Sequence, residues 1–167
     1  DPIMDQAKYD DNFRYAKDAP MAFDWRDYNG HTYIGGVRDQ GSCGSCYAFG
    51  ANAATEGTYN VANNLYDASC VDLSESFIIW CLGSISPYNS HFSGCDGADY
   101  DYMELQASCD SGVCYESDFP YVITDPGTCT HWNDPRVKMN NWYRVDCSDT
   151  TAIQTAIMTY GVVDAAV

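Results

Sequence analysis

Apolar positions fall into short groups separated by polar and turn-forming residues. From Cys46 to about Asn60 the residues are small on nearly every face, with Ala48, Gly50, Ala51, Ala53, Ala54 and Gly57. That pattern predicts a helix packed closely between other elements. Ser45 stands where it can cap this helix. Gly50 and Gly57 lower helix propensity, so tertiary packing must hold it. A second helix is predicted to begin at Leu73-Ser74-Glu75, with Ser74 as cap and Phe77, Ile78 and Trp80 as its apolar part. A third is predicted from Ala98 to about Cys109, and a fourth over Thr150–Tyr160 with Gly161 at its C-terminal end. The aromatics and Val145 of Asn141–Cys147 predict a strand. The apolar run Val162–Val167 predicts a buried strand. Gly83–Gly94 and Asp125–Asn141 read as loops. Residues 1–20 are polar and charged, end in Ala19-Pro20, and read as a tail or linker.

At 167 residues the chain is long enough for one domain with a real core. No apolar run approaches the ~20 residues that span a bilayer. Asp1 opens the chain without a basic and apolar leader, so a signal peptide is expected to be absent or already removed. The net charge is -16, carried by 20 Asp and 4 Glu. Asp favours turns and caps over helix interiors, which points to a loop-rich protein. Eight scattered basic residues argue against nucleic acid and anionic membranes as partners. An acidic surface suits a low-pH compartment, where protonation relieves self-repulsion.

Nine cysteines fit four disulfides and one free, reactive thiol. Such a pattern implies an oxidising compartment: the secretory pathway, with a lysosomal, vacuolar or extracellular destination. Zinc needs clustered Cys/His pairs. Cys43-x-x-Cys46 has no second such pair, and His31, His91 and His131 are dispersed, so no metal and no cofactor is expected.

The chemistry concentrates in Gln40-Gly41-Ser42-Cys43-Gly44-Ser45-Cys46-Tyr47-Ala48-Phe49. A thiol attacks as its thiolate, which the positive end of a helix and a nearby imidazolium both favour. Cys46 opens the first predicted helix and has the former. Its backbone N–H is one donor for the oxyanion of a tetrahedral intermediate. Gly41 and Gly44 are expected to let a substrate backbone come close. A lone Cys-x-x-Cys is also compatible with a redox motif, but the longer run is far more specific. It matches the Cys-Gly-[Ser/Ala]-Cys-[Trp/Tyr] signature of papain and the cathepsins. Phe23-Asp24-Trp25-Arg26 upstream and Leu73-Ser74-Glu75 downstream extend the match, and Phe119-Pro120-Tyr121 resembles that family's Tyr-Pro-Tyr turn. The chain from Phe23 to Val167 therefore resembles a papain-like cysteine peptidase.

The resemblance implies an α+β fold of two lobes. This chain would give the helical lobe and the first strands of the barrel-like lobe. Residues 21–167 would form the peptidase domain, and residues 1–20 an N-terminal extension or a remnant of an inhibitory pro-segment. It also implies Cys46 as nucleophile, the Gln40 side chain as second oxyanion donor, and disulfides Cys43–Cys95 and Cys81–Cys129. Cys109–Cys114 would close a short loop as a plausible pair, Cys70–Cys147 would follow only by elimination, and one of these four could instead bridge to another chain. The family's substrate pairs with the backbone beside the second bridging Cys, here Gly97-Ala98, where two glycines are usual. Gly44 would also bind substrate. Asp99, Tyr100 and Ala166 would line the pocket for the residue at P2. A carboxylate there favours a basic or polar P2 residue, unless Asp99 points to solvent.

Tyr47 departs from the family's usual Trp. With Asp24-Trp25-Arg26-Asp27-Tyr28-Asn29-Gly30 it looks like the dipeptidyl-peptidase branch (cathepsin C). That branch needs an added domain, for which residues 1–20 are too short, and endopeptidase activity is the favoured reading. The family carries its catalytic His about 130–150 residues after the Cys, and 121 residues follow Cys46. His31, His91 and His131 lie elsewhere and read as surface histidines. The expectation is a companion chain from the same precursor, carrying His and Asn, as in heavy- and light-chain forms, with a peptide or protein as substrate. The alternative is a non-catalytic binding or structural protein of the same fold.

Overall fold

The computed structural model describes residues 19–100 and 102–165. The fold is built around helix α1, Cys46–Asn63. It buries Ala48, Ala51, Asn52, Ala54, Thr55, Gly57 and Asn60, so several elements touch it, as its small residues predict. The two glycines have a packing reason. A Cβ on Gly57 would lie 2.2 Å from Val162 Cγ2, and one on Gly50 would lie 2.6 Å from Asp164 Oδ1. Their helix-propensity cost is the condition for the chain after residue 160 to lie directly on α1.

Ser74 caps the next helical stretch, its Oγ accepting the Phe77 N–H at 3.0 Å. That stretch runs through a π-helical turn, Phe77–Cys81, and a 3-10 turn, Leu82–Ser84. Helix α2 spans Met103–Ser111 and α3 spans Thr150–Tyr160. Asp149 caps α3 by accepting the Ala152 N–H at 3.0 Å, and Gly161 ends it at φ +125°. The expected start of a helix at Ala98 is corrected: Ala98 bridges Phe92 in antiparallel fashion, and Gly97 sits at φ +99°, outside helical geometry.

Strand β1, Val113–Cys114, pairs antiparallel with β2, Arg136–Val137, with Val113 opposite Val137. The strand expected over Asn141–Cys147 is not one of these. Its aromatic content serves packing: Trp142 stacks on Tyr102 at 5.3 Å, and its Nε1–H donates to Gln106 Oε1 at 2.9 Å. The expected buried strand Val162–Val167 is likewise corrected over its described part. Val162 and Val163 are half-buried and Asp164 and Ala165 exposed, with no strand pairing. The Thr58 hydroxyl bonds the Val162 carbonyl instead.

One core joins Ala48 and Ala51 of α1 to Leu73, Phe77, Ile78, Leu82, Met103, Val113 and Val137. Ala152 and Ala156 form a smaller cluster with Val145 and Val163. Phe23, Trp25, Tyr28 and Tyr33 make an aromatic group, and Trp25 Nε1–H donates to the Ile157 carbonyl at 2.8 Å. Residues 1–18, most of the expected extension, lie outside the described residues.

The disulfides are Cys43–Cys95 and Cys81–Cys129. The expectation of four is corrected, since Cys70, Cys109, Cys114 and Cys147 are free, as is Cys46. Burial pushes the Cys109 thiol up to about 11 and the Cys114 thiol up to about 12. Both therefore behave as small apolar groups kept protonated. The Cys70 thiol donates to the Thr32 carbonyl. No described helix is long and apolar enough to cross a membrane.

Candidate active site

Cys46 is the first residue of α1 and is exposed. Ser45 occupies the cap position but makes no cap hydrogen bond, contrary to expectation. Its Oγ lies 2.8 Å from Tyr121 Oη instead. The first helical N–H groups have no intrahelical partner, and the N–H of Cys46, the first helical residue, has no acceptor among the described residues. No acidic residue occupies the first turn. The helix therefore presents its positive end and an open donor beside the thiol.

Gln40 is half-buried on the loop leading to this turn. Its Nε2 donates to the Cys43 carbonyl at 2.7 Å, which leaves the second N–H of the amide uncommitted. Its own carbonyl accepts the Tyr121 hydroxyl at 2.8 Å. Tyr121 thus ties Ser45 to Gln40, a role that the Phe119-Pro120-Tyr121 turn does not advertise in sequence.

Gly44 has a packing reason within the protein itself. A Cβ there would stand 2.5 Å from the Cys95 carbonyl oxygen, so glycine permits close contact with the protein's own backbone. The Gly44 N–H donates to that carbonyl at 2.9 Å. Disulfide and hydrogen bond together lay the Phe92–Asp99 turn against the nucleophile loop. Within it, Ser93 N–H donates to Gly97 O at 2.9 Å and Asp99 N–H to His91 O at 3.3 Å. These bonds flank the Phe92–Ala98 pair, and strand alternation turns the N–H and C=O of Ala98 to the opposite edge. There they have no partner among the described residues. Gly97 holds φ +99°, while Ala98 has negative φ, so alanine in place of a second glycine costs nothing in backbone conformation.

Asp99 and Tyr100 are exposed next to this edge. His91, expected as a surface histidine, is partly buried, and its Nδ1 lies 3.0 Å from Asp99 Oδ1. Its ring lies 5.3 Å from that of Tyr100. His31 pairs with Asp67 and His131 with Asp134, the latter stacked on Phe119 at 4.2 Å. Each histidine is thus engaged by an aspartate. Ala166 lies outside the described residues.

Farther along α1, Glu56 is half-buried, and Glu75, buried, and Glu116, half-buried, lie beyond the helix. Burial holds Glu56 up at about 8 against the opposing hydrogen bond from the Leu73 N–H. Burial also holds Glu75 up at about 7 and raises Glu116. The Arg38 guanidinium pairs with Asp72 nearby. An open groove of about 660 Å³ runs over Thr32, Ile34, Arg38, Cys70 and Asp72, and none of the sequence-predicted site residues lines it. Among the described residues no cluster of His, Cys, Asp and Glu is arranged to hold a metal ion.

The family model described as "Papain family cysteine protease" matches residues 19–167. "Cysteine proteinase 1" of Entamoeba histolytica is 33% identical over 153 residues, covering 89% of this chain and 44% of that protein. The "Low-temperature-induced cysteine proteinase" of Solanum lycopersicum is 34% identical over 140 residues, 83% of this chain and 36% of that protein. The chain thus spans less than half the length of these relatives. Among solved structures, the Carica candamarcensis cysteine protease CMS1MS2 in complex with E-64 aligns with TM-score 0.68 and 27% identity, over 84% of this chain and 59% of that one. The bromelain protease from Ananas comosus in complex with E64 aligns with TM-score 0.67 and 25% identity, over 85% of this chain and 59% of that one.

Proposed function

The chain belongs to the papain family of cysteine proteases and has its α+β fold, and from that premise we propose that it is the nucleophile-bearing part of a thiol peptidase. The observation that carries the proposal is the exposed Cys46 thiol at an uncapped helix N-terminus, with an open backbone N–H and the Gln40 amide on the adjoining loop. The Cys46 thiolate attacks the scissile carbonyl, and the oxygen takes the charge beside the Cys46 N–H and Gln40 Nε2. The C–N bond then breaks, an imidazolium protonates the leaving amine, and a thioester remains. Water, deprotonated by the same imidazole, hydrolyses the thioester and frees the thiol. The side-chain partners of His31, His91 and His131 are Asp67, Asp99 and Asp134, and none of the three bonds to Cys46; the histidine and its orienting Asn are proposed to come from polypeptide outside this sequence, as a companion chain or a continuing lobe.

The substrate is a peptide or protein, running along the free edge of Ala98, with Gly97 shaping the turn. Asp99, Tyr100 and Ala166 are proposed to line the P2 pocket. The Asp99 carboxylate, bonded to His91, would favour a basic or polar residue there. Endopeptidase cleavage is the reading we favour over dipeptidyl release. Two disulfides support maturation in the secretory pathway, with a lysosomal, vacuolar or extracellular destination. Residues 1–20 are proposed as an extension or pro-segment remnant.

The test is alkylation of the full-length native protein with iodoacetamide at about pH 5, where an ordinary thiol is almost wholly protonated. Cys147, also free and exposed, is the internal reference. Fast labelling of Cys46 with Cys147 left unlabelled is the expected result. Equal, slow labelling of both would favour the non-catalytic alternative.

A further inference from the structure

The Phe92–Asp99 turn is held to the nucleophile loop by more than its disulfide. The disulfide and the Gly44 N–H bond both act on one residue, Cys95. Elsewhere the turn rests on Trp80, whose ring a Cβ on Gly94 would meet at 2.9 Å, and on the Phe92 N–H bond to the Tyr88 carbonyl at 2.9 Å. Tyr47, the residue after Cys46, supplies contacts at two other points. Its hydroxyl donates to the Gly94 carbonyl at 2.9 Å, at the tip of the turn, where Gly94 holds φ +62°. Its ring lies 5.5 Å from that of Phe92, the residue directly opposite Ala98. Phe92 is itself buried and stacked on Tyr88 at 5.7 Å, so it is a firm support.

We infer that Tyr47 is a positioning residue, which fixes the tilt of the Ala98 edge relative to the Cys46 sulfur and so sets how an extended peptide backbone is presented for attack. This rests on the peptidase reading above. The free N–H and C=O of Ala98 can take one more strand by edge pairing, and the carbonyl to be attacked belongs to that strand. A small rotation of the edge moves that carbonyl off the line of attack, although neither Cys46 nor Gln40 has changed. The first turn of α1 thus carries the nucleophile on one residue and the brace for its substrate on the next. Burial pushes the Tyr47 phenol well above its ordinary range. The hydroxyl stays protonated, and the brace persists at every pH at which the protein works.

The experiment uses the full-length protein with Tyr47→Phe, which keeps the ring and removes the hydroxyl. Hydrolysis of an extended fluorogenic peptide is measured beside the rate at which iodoacetamide, too small to use the edge, alkylates Cys46. The expected result is a kcat/KM lowered about threefold to tenfold and carried in kcat, because the carbonyl is misaligned rather than unbound, on the scale of one lost hydrogen bond to a neutral carbonyl. Alkylation should be unchanged, and the ratio of mutant to wild-type kcat constant with pH. Tyr47→Trp, which keeps a ring and an N–H donor, should lie nearer the wild type. An unchanged kcat for Tyr47→Phe in an active protein overturns the inference alone. Loss of alkylation in step with hydrolysis also overturns it, because Tyr47 would then be shaping the Cys46 turn itself. A wild type without peptidase activity overturns the peptidase reading and this inference with it.

Discussion

The two ends of α1 are finished in opposite ways. At the C-terminal end Asn64 adopts φ 53° and donates its N–H to the Asn60 and Val61 carbonyls. Asn60, fully buried, donates to the Tyr33 carbonyl at 3.0 Å and accepts the Val71 N–H at 3.0 Å. At the N-terminal end the cap serine faces Tyr121, and the Cys46 N–H is left without an acceptor. Both ends of a helix carry orphan backbone groups. One end closes them and the other leaves a donor open, the one proposed to serve the oxyanion. The helix can leave its first turn open because its far end and its buried middle anchor it.

The sharpest way to break the comparison is at the open end. Cys46→Ala should abolish peptide hydrolysis, by about a thousandfold or more, while the melting temperature stays near the wild type. Gly44→Ala comes next. Its Cβ meets the Cys95 carbonyl oxygen at 2.5 Å, and overpacking of this kind costs about 1–3 kcal/mol. Denaturant melts should show that loss, and hydrolysis should fall with it because the Ala98 edge is displaced.

The closed end should behave in reverse. Asn60→Ala strands the buried Tyr33 carbonyl and Val71 N–H, at about 1–3 kcal/mol for each unpaired group. A lower melting temperature with an unchanged Cys46 alkylation rate would confirm that the two ends divide the work. Equal loss at both would break the comparison.

The middle of the helix gives a pH test. Glu56 is held up at about 8 and Glu75 at about 7, both first by burial. Folded pKa values above the unfolded ones mean that folding favours the protonated acids. Their contribution is therefore complete below about pH 4, near the unfolded carboxyl range, and is lost as pH rises through 7 to 8. Melting temperature should fall across that window, and Glu56→Gln should flatten the fall. The smallest expected effect is at Tyr121. Tyr121→Phe removes the bridge between Ser45 and the Gln40 carbonyl, and kcat/KM should drop about fivefold, as for one hydrogen bond of about 1 kcal/mol.

Legibility in the sequence followed the range of the interactions. The α1 span, the Ser74 cap and the Thr150–Tyr160 helix were readable because small-residue packing, capping and helix periodicity are local signals. Asn141–Cys147 reads as a strand in the sequence because aromatic residues score the same whether they pair in a sheet or, like Trp142, stack on the residue that precedes a helix. The predicted four disulfides failed for a similar reason. Cysteine number carries a statistical expectation of pairing, whereas Cys109, half-buried in α2, and Cys114, buried in β1, stay as thiols.

By itself the sequence determined the family, because Cys46 and its neighbours form a contiguous chemical pattern, and the resemblance that this pattern carries implied the Cys43–Cys95 and Cys81–Cys129 disulfides that the structure holds. Only the tertiary structure decided that Ser45 would turn from the helix to Tyr121, that His91 would hold Asp99, and that Tyr47 would reach Gly94. These contacts join residues 8 to 76 positions apart. Which of several possible partners a hydroxyl or imidazole takes is set by what packing brings within about 3 Å of it, and no local pattern in the chain encodes that.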